Sequence, residues 1–193
     1  MIDAWRINLT AAAIWEPRIE WPEQPLDLEF IIDILLPYAN WPNLIEDTPL
    51  TQRLARLAGE AAANLIQAIH RQDQAEQLTG AVTQLAGLGH GLTPAGDDYL
   101  LGVMAALWLT GRPEMAVHIA QTAIPRTTAL SAAFLQAAAR GEFTEPWHAL
   151  VEAWQAEDQP ALMTTIARIA AFGATSGADA LAGFINVFLG PAQ

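Results

Sequence analysis

Residues 87–102 read GLGHGLTPAGDDYLLG and combine three features that suit the binding or transformation of a small molecule. Asp97 and Asp98 supply adjacent carboxylates, which can transfer a proton or hold Mg²⁺. The glycines before them let backbone N–H groups approach an anion where a helix begins. The stretch therefore predicts a small-molecule site at a helix N-terminus.

A second stretch, GATSGADALAGF at residues 173–184, repeats this order with one residue fewer. Each stretch opens an apolar helix, at about 97–110 and 177–189. If these helices pack side by side in the same direction, Asp98 and Asp179 should face one pocket. Gly102 and Gly183 should then lie at or near the helix contact. The matched pairs are Gly96 with Gly177, Asp98 with Asp179, and Gly102 with Gly183.

The predicted site draws on both stretches and on the PRTT segment at 125–128. Its acid/base groups are Asp97, Asp98 and Asp179, and Asp98 and Asp179 are also the predicted Mg²⁺ ligands. Arg126 is the candidate cation, because the chain has no lysine and this arginine directly precedes a predicted helix. The predicted substrate-binding residues are Gly91, Thr93, Gly96, Arg126, Thr127, Thr128, Thr175, Ser176 and Gly177.

A purely structural interpretation of the same residues stays open. Ser176 and Asp179 have the spacing of a capping box, and an acid in the first turn of a helix gains about 0.3–1 kcal/mol from the helix dipole. On that interpretation the chain is a non-catalytic scaffold or regulatory subunit. A Mg²⁺-dependent hydrolase is a further alternative, although no nucleophile can be named for it.

Composition narrows the classes of partner. The 193 residues carry a formal charge of -12, and all nine cations are arginine. Nucleic acid and anionic membrane surfaces require clustered cations, so neither is expected as a partner. Without cysteine, the chain has no thiolate zinc site and no cysteine nucleophile. The N-terminal residues do not resemble a signal peptide, which predicts a cytoplasmic protein.

Most of the chain has the periodicity of amphipathic helices, which predicts a mainly α fold. We expect a multi-helix bundle around the two apolar helices, within a helical domain at 26–193. Thr48 and Pro49 mark the start of a long helix, and glycines at 87, 111, 141 and 173 mark helix ends. Residues 1–25 are rich in Trp and Ile and broken by prolines, which predicts a small β hairpin or β appendage.

The chain resembles a bacterial domain-of-unknown-function family whose hallmark is a GLGxGLTPSGDDxLxG run. The resemblance rests on 87–102, on RTTALSAAFLQAAARGEF at 126–143 and on GATSGADALAG at 173–183, with Ala95 in place of the usual serine. The family includes a subunit of oxamate carbamoyltransferase, which transfers a carbamoyl group between oxalurate and phosphate in anaerobic allantoin breakdown. The resemblance implies one subunit of a multi-subunit enzyme that acts on small anionic substrates.

Overall fold

The computed structural model describes residues 14–42, 48–71 and 75–191, and these residues are mainly α-helical. Within these ranges no β-strand forms, and no helix combines the length and apolar character needed to cross a membrane. The predicted mainly α fold is therefore confirmed for these residues. The nine helices found there are α1 (Glu29–Leu35), α2 (Pro49–Arg71), α3 (Ala75–Leu85), α4 (Ala95–Leu109), α5 (Pro113–Ala123), α6 (Ala129–Ala138), α7 (Glu145–Gln155), α8 (Gln159–Ala170) and α9 (Ser176–Leu189).

The predicted N-terminal β hairpin is not supported. Residues 1–13 lie outside the described residues, and residues 14–25 contain no strand. Instead, Arg18 forms an isolated antiparallel bridge with Glu142 in the loop after α6. The bridge cannot extend into a ladder through Pro17 or Pro22, because proline has no backbone N–H to donate. Hydrogen bonds from the Ile19 N–H to the Gly141 carbonyl and from the Phe143 N–H to the Pro17 carbonyl hold this segment against the loop after α6.

The capping residues and glycines in the sequence correctly predicted several helix boundaries. Pro49 begins α2, and the Thr48 hydroxyl accepts a hydrogen bond from the Thr51 N–H at 3.2 Å, as expected of an N-cap. The glycines predicted at helix ends, at 87, 111, 141 and 173, all have positive φ angles. These residues end helices because a left-handed conformation costs glycine little.

The two apolar helices α4 and α9 form the centre of the bundle and make the most extensive contact between described elements. Helices α3, α5 and α6 pack around α4, and α1, α2 and α8 pack around α9. A Cβ atom on Gly102 would lie 1.7 Å from the Ala180 carbonyl oxygen, and one on Gly183 would lie 2.0 Å from the Tyr99 carbonyl oxygen. The predicted contact at these two glycines is confirmed.

The contact between α4 and α9 has a local two-fold character. Gly102 packs on the backbone of Ala180 and Phe184, whereas Gly183 packs on the backbone of Tyr99 and Val103. In the aligned stretches Ala180 corresponds to Tyr99, and Phe184 corresponds to Val103. The repeated sequence thus forms a repeated contact, and Asp98 and Asp179 occupy equivalent positions on the two helices.

Candidate functional site

The turns that open α4 and α9 meet at one end of the helix pair. The hydroxyls of Thr93 and Ser176 lie 3.0 Å apart and join the two turns. Gly96 and Gly177 each pack against the end of the preceding helix. A Cβ on Gly96 would lie 2.1 Å from the Leu85 carbonyl oxygen, and a Cβ on Gly177 would lie 1.8 Å from the Ile169 carbonyl oxygen. Glycine at these positions lets both helices begin inside the core.

Asp97 connects three segments of the chain. It is 2% exposed, and its Oδ1 accepts a hydrogen bond from the Gly87 N–H at 2.9 Å. Its Oδ2 accepts from the hydroxyl of Thr127, just before α6. Gly87 has a φ of 72°, and a Cβ there would lie 2.5 Å from the Arg126 carbonyl oxygen. Both carboxylate oxygens of Asp97 are therefore used to hold the turn against the start of α6.

Asp98 is in a different electrostatic position. It is 9% exposed, and its Oδ2 is buried without a hydrogen-bond partner. Burial raises the pKa of Asp98 to about 7; the Ser176 and Thr93 hydroxyls oppose the rise, and the charges of Asp179 and Asp97 add to it. Asp98 therefore changes its protonation state near neutral pH, which is a property of acid/base groups.

Asp98 lines a cavity of about 60 Å³ between the two turns and helices α6 and α7. This volume holds several water molecules or a group of a few heavy atoms. Ser131 also lines the cavity, is 2% exposed, and has a hydroxyl oxygen without a partner. The other lining residues are Thr93, Asp97, Leu101, Phe134, Leu135, Thr144, Pro146, Trp147, Ile169, Phe172, Ser176, Gly177 and Ala180.

Asp179 does not line this cavity, so the cavity does not support the expectation that Asp179 shares a pocket with Asp98. It is 1% exposed, and its Oδ1 accepts a hydrogen bond from the Trp41 indole N–H at 2.9 Å. The indole ring also packs on Tyr99, with ring centroids 4.5 Å apart. Burial raises the pKa of Asp179, whereas the Thr175 hydroxyl and the Trp41 indole lower it. Trp41 therefore occupies the Asp179 side of the helix pair.

Some of the remaining predicted site residues line the cavity, and the others lie outside it. Thr93, Ser176 and Gly177 line the cavity with Asp97 and Asp98, but Gly91, Gly96, Arg126, Thr127, Thr128 and Thr175 do not. Arg126 is exposed, and its guanidinium donates to the Thr122 carbonyl oxygen at 2.5 Å. Thr128 caps α6 and donates to the Leu92 carbonyl oxygen at 2.5 Å. The PRTT segment thus contacts the first turn through its backbone and hydroxyls.

Metal binding by Asp98 and Asp179 stays a prediction. The described part of the chain contains no group of three or more histidine, aspartate or glutamate side chains arranged to hold a metal ion. The two predicted ligands also have different surroundings, since only Asp98 lines the cavity.

Two contributors to the site were not predicted as site residues. Ser131 was visible only as one of several hydroxyls after Arg126, and its burial against the cavity depends on how α6 packs on α4. Trp41 belongs to a loop 138 residues before Asp179. No local pattern signals so distant a pairing.

Comparison with known proteins identifies the family. No solved structure matches the chain. Residues 85–188, which include both glycine-acid turns, the PRTT segment and the cavity, match the family described as oxamate carbamoyltransferase subunit AllH. Since the match spans more than half of the 193 residues, this chain belongs to that family.

Proposed function

We propose that the chain is one subunit of a multi-subunit carbamoyltransferase, and that the cavity beside Asp98 binds its small substrate. One observation carries the site: Asp98 and Ser131 both line the cavity and both have a buried oxygen without a partner. Buried polar atoms normally have hydrogen-bond partners, so a pair facing one cavity favours a ligand that supplies them. The family match supports the type of enzyme.

The proposed reaction is carbamoyl transfer between oxalurate and phosphate. A phosphate oxygen attacks the carbamoyl carbon, the bond from that carbon to the oxamate nitrogen breaks, and the nitrogen takes up a proton. The products are carbamoyl phosphate and oxamate. Asp98, with a pKa raised to about 7, gives a proton to the leaving nitrogen. The attacking hydrogen phosphate releases its proton to water, from which Asp98 is protonated again.

The other site acids have supporting roles in this proposal. Asp97 uses both oxygens to fix the turn, so it positions Asp98 rather than reacting. Asp179 bonds to Trp41, which favours a structural contribution over its predicted catalytic role. The hydroxyls of Thr93 and Ser176 lie where the two turns meet and orient the Asp98 carboxyl.

The test is to isolate the chain with its partners from native cells and to assay carbamoyl phosphate formation from oxalurate and phosphate. The chain alone should be inactive and the complex active. Asp98→Asn should reduce the rate at least about 100-fold, because a positioned acid/base group typically contributes 10²–10⁴-fold.

Asp158→Asn is the matched control, because it changes an acid at the N-cap of α8, where asparagine also caps well. This variant should keep the full rate. Turnover by the chain alone, or an unchanged rate in Asp98→Asn, would contradict the proposal. The second outcome would leave the scaffold interpretation in place.

A further inference from the structure

Because Asp98 and Asp179 occupy equivalent positions, the contact that Trp41 makes with Asp179 can be compared with the cavity beside Asp98. The cavity lies between Asp98 of α4 and Ala180 of α9. The pair related to these by the local two-fold is Asp179 of α9 and Tyr99 of α4. Trp41 contacts both Asp179 and Tyr99. On the Asp179 side of the helix pair, Trp41 thus occupies the position that the cavity occupies on the Asp98 side.

The Trp41 contact shows which chemistry this position accepts. The Trp41 ring packs on the Tyr99 ring, and its neutral N–H donates to the Asp179 carboxyl at 2.9 Å. A buried carboxylate needs such a donor, because its desolvation is otherwise uncompensated. Asp98 has the same place on its helix, but its donors are the hydroxyls of Ser176 and Thr93 rather than an indole N–H. Its Oδ2, like that of Asp179, is buried without a partner among the described residues, and only Asp98 lines the cavity.

The cavity wall is poorly suited to an anion. Its described lining contains two carboxylates, several hydroxyls and apolar side chains, and it includes no arginine or histidine. Arg126, the predicted cation, is exposed and bonds to the Thr122 carbonyl oxygen. A second anion beside Asp97 and Asp98 would meet like charge in a site shielded from water.

We infer that the cavity binds the uncharged, N–H-bearing end of an amide or ureido ligand, with Asp98 as hydrogen-bond acceptor and the anionic end directed outward. The inference rests on the proposed function and adds an orientation to it. The Ser131 hydroxyl, also without a partner, is placed to donate to the amide carbonyl. Any cation for the anionic end then comes from outside the cavity wall.

Oxamate and oxalate provide a matched pair of probes, since oxalate replaces the amide of oxamate by a second carboxylate. Their binding to the full chain at pH 8, where Asp98 is ionised, is measured by NMR titration. We expect oxamate to bind at least about tenfold more tightly than oxalate. Asp98→Leu, which keeps the side-chain shape without an acceptor, should abolish this preference, and Ser131→Ala should weaken oxamate binding about fivefold.

Trp41→Phe is the control outside the cavity and should keep the preference for oxamate. The inference is overturned if oxalate binds as tightly as oxamate, if neither binds, or if both cavity variants keep the wild-type preference. Those results leave the proposed function standing provided that the Asp98→Asn complex is inactive in carbamoyl transfer. Conversely, an active Asp98→Asn complex contradicts the proposed function, while a preference for oxamate that depends on Asp98 would still support the amide-binding cavity.

Discussion

Asp98 and Asp179 are equivalent in sequence and in backbone position, yet their side chains have different surroundings. Asp179 accepts a hydrogen bond from Trp41, a residue of the same chain. Asp98 instead lines a cavity, although each of the two carboxyl groups keeps a buried Oδ2 without a partner. The repeated motif fixes where the helices begin and how closely they approach. The distant loops and helices that surround each carboxylate decide whether that position holds the fold or a ligand.

The largest loss of stability should come from disrupting the contact between α4 and α9, which makes Asp98 and Asp179 equivalent. Gly102→Ala would place a Cβ 1.7 Å from the Ala180 carbonyl oxygen, so α4 and α9 must separate. We expect a loss of about 3–5 kcal/mol in the free energy of unfolding, measured by urea denaturation. Gly80→Ala is the control, because nothing lies within 4 Å of its Cβ and alanine is the better helix former. Equal effects of the two variants would contradict the close approach.

Removing the Trp41 donor should show how much its hydrogen bond to Asp179 contributes to stability. Trp41→Phe keeps an aromatic ring against Tyr99 but loses the N–H bonded to Asp179. The expected loss of stability is about 1–3 kcal/mol, the penalty of leaving a buried acceptor unsatisfied. In an Asp179→Leu background the same change should cost much less. A double-mutant cycle without coupling would show that the contact contributes little.

The pH dependence of stability should distinguish Asp98 from an ordinary surface acid. Its pKa is raised to about 7, so the folded chain holds a proton that the unfolded chain releases above about pH 4. This contribution to stability is complete below about pH 4 and is lost as the pH rises to 7.

Asp98→Asn removes this titration. The free energy of unfolding of the variant should rise relative to that of the wild type by about 2–3 kcal/mol between pH 5 and pH 8, or roughly 4–12 °C in Tm. Thermal and urea unfolding at both pH values provide the measurement. A difference that is the same at pH 5 and pH 8 would mean that Asp98 does not titrate as proposed.

The mainly α fold and the pairing of α4 with α9 could be predicted from the sequence because the patterns that indicate them are local. Apolar residues all around 99–109 marked a central helix, and the spacing from Gly96 to Gly102 recurred from Gly177 to Gly183. The close approach at Gly102 and Gly183 followed from that repeat. These features depend on residues a few positions apart, which a single sequence displays directly.

The side chains that surround each site aspartate could not be predicted from such local patterns. Thr127 was expected to bind substrate, but its hydroxyl donates to Asp97 and fixes a turn. Arg126 was expected to hold an anion, but its guanidinium bonds to a carbonyl of the preceding helix. Trp41 and Ser131 contribute through tertiary packing, which no spacing along the chain encodes.

The most direct test of the division between the two sides is the rate of carbamoyl transfer by the assembled complex with Asp98→Asn and, separately, with Trp41→Phe. If the Asp98 side binds the ligand and the Asp179 side holds the fold, Asp98→Asn loses at least about 100-fold in rate without losing stability at pH 8. Trp41→Phe then lowers the melting temperature but keeps the rate within about threefold of the wild type, as expected for a loss of stability alone. Full activity in Asp98→Asn, or an equal loss of rate in both variants, would contradict the account.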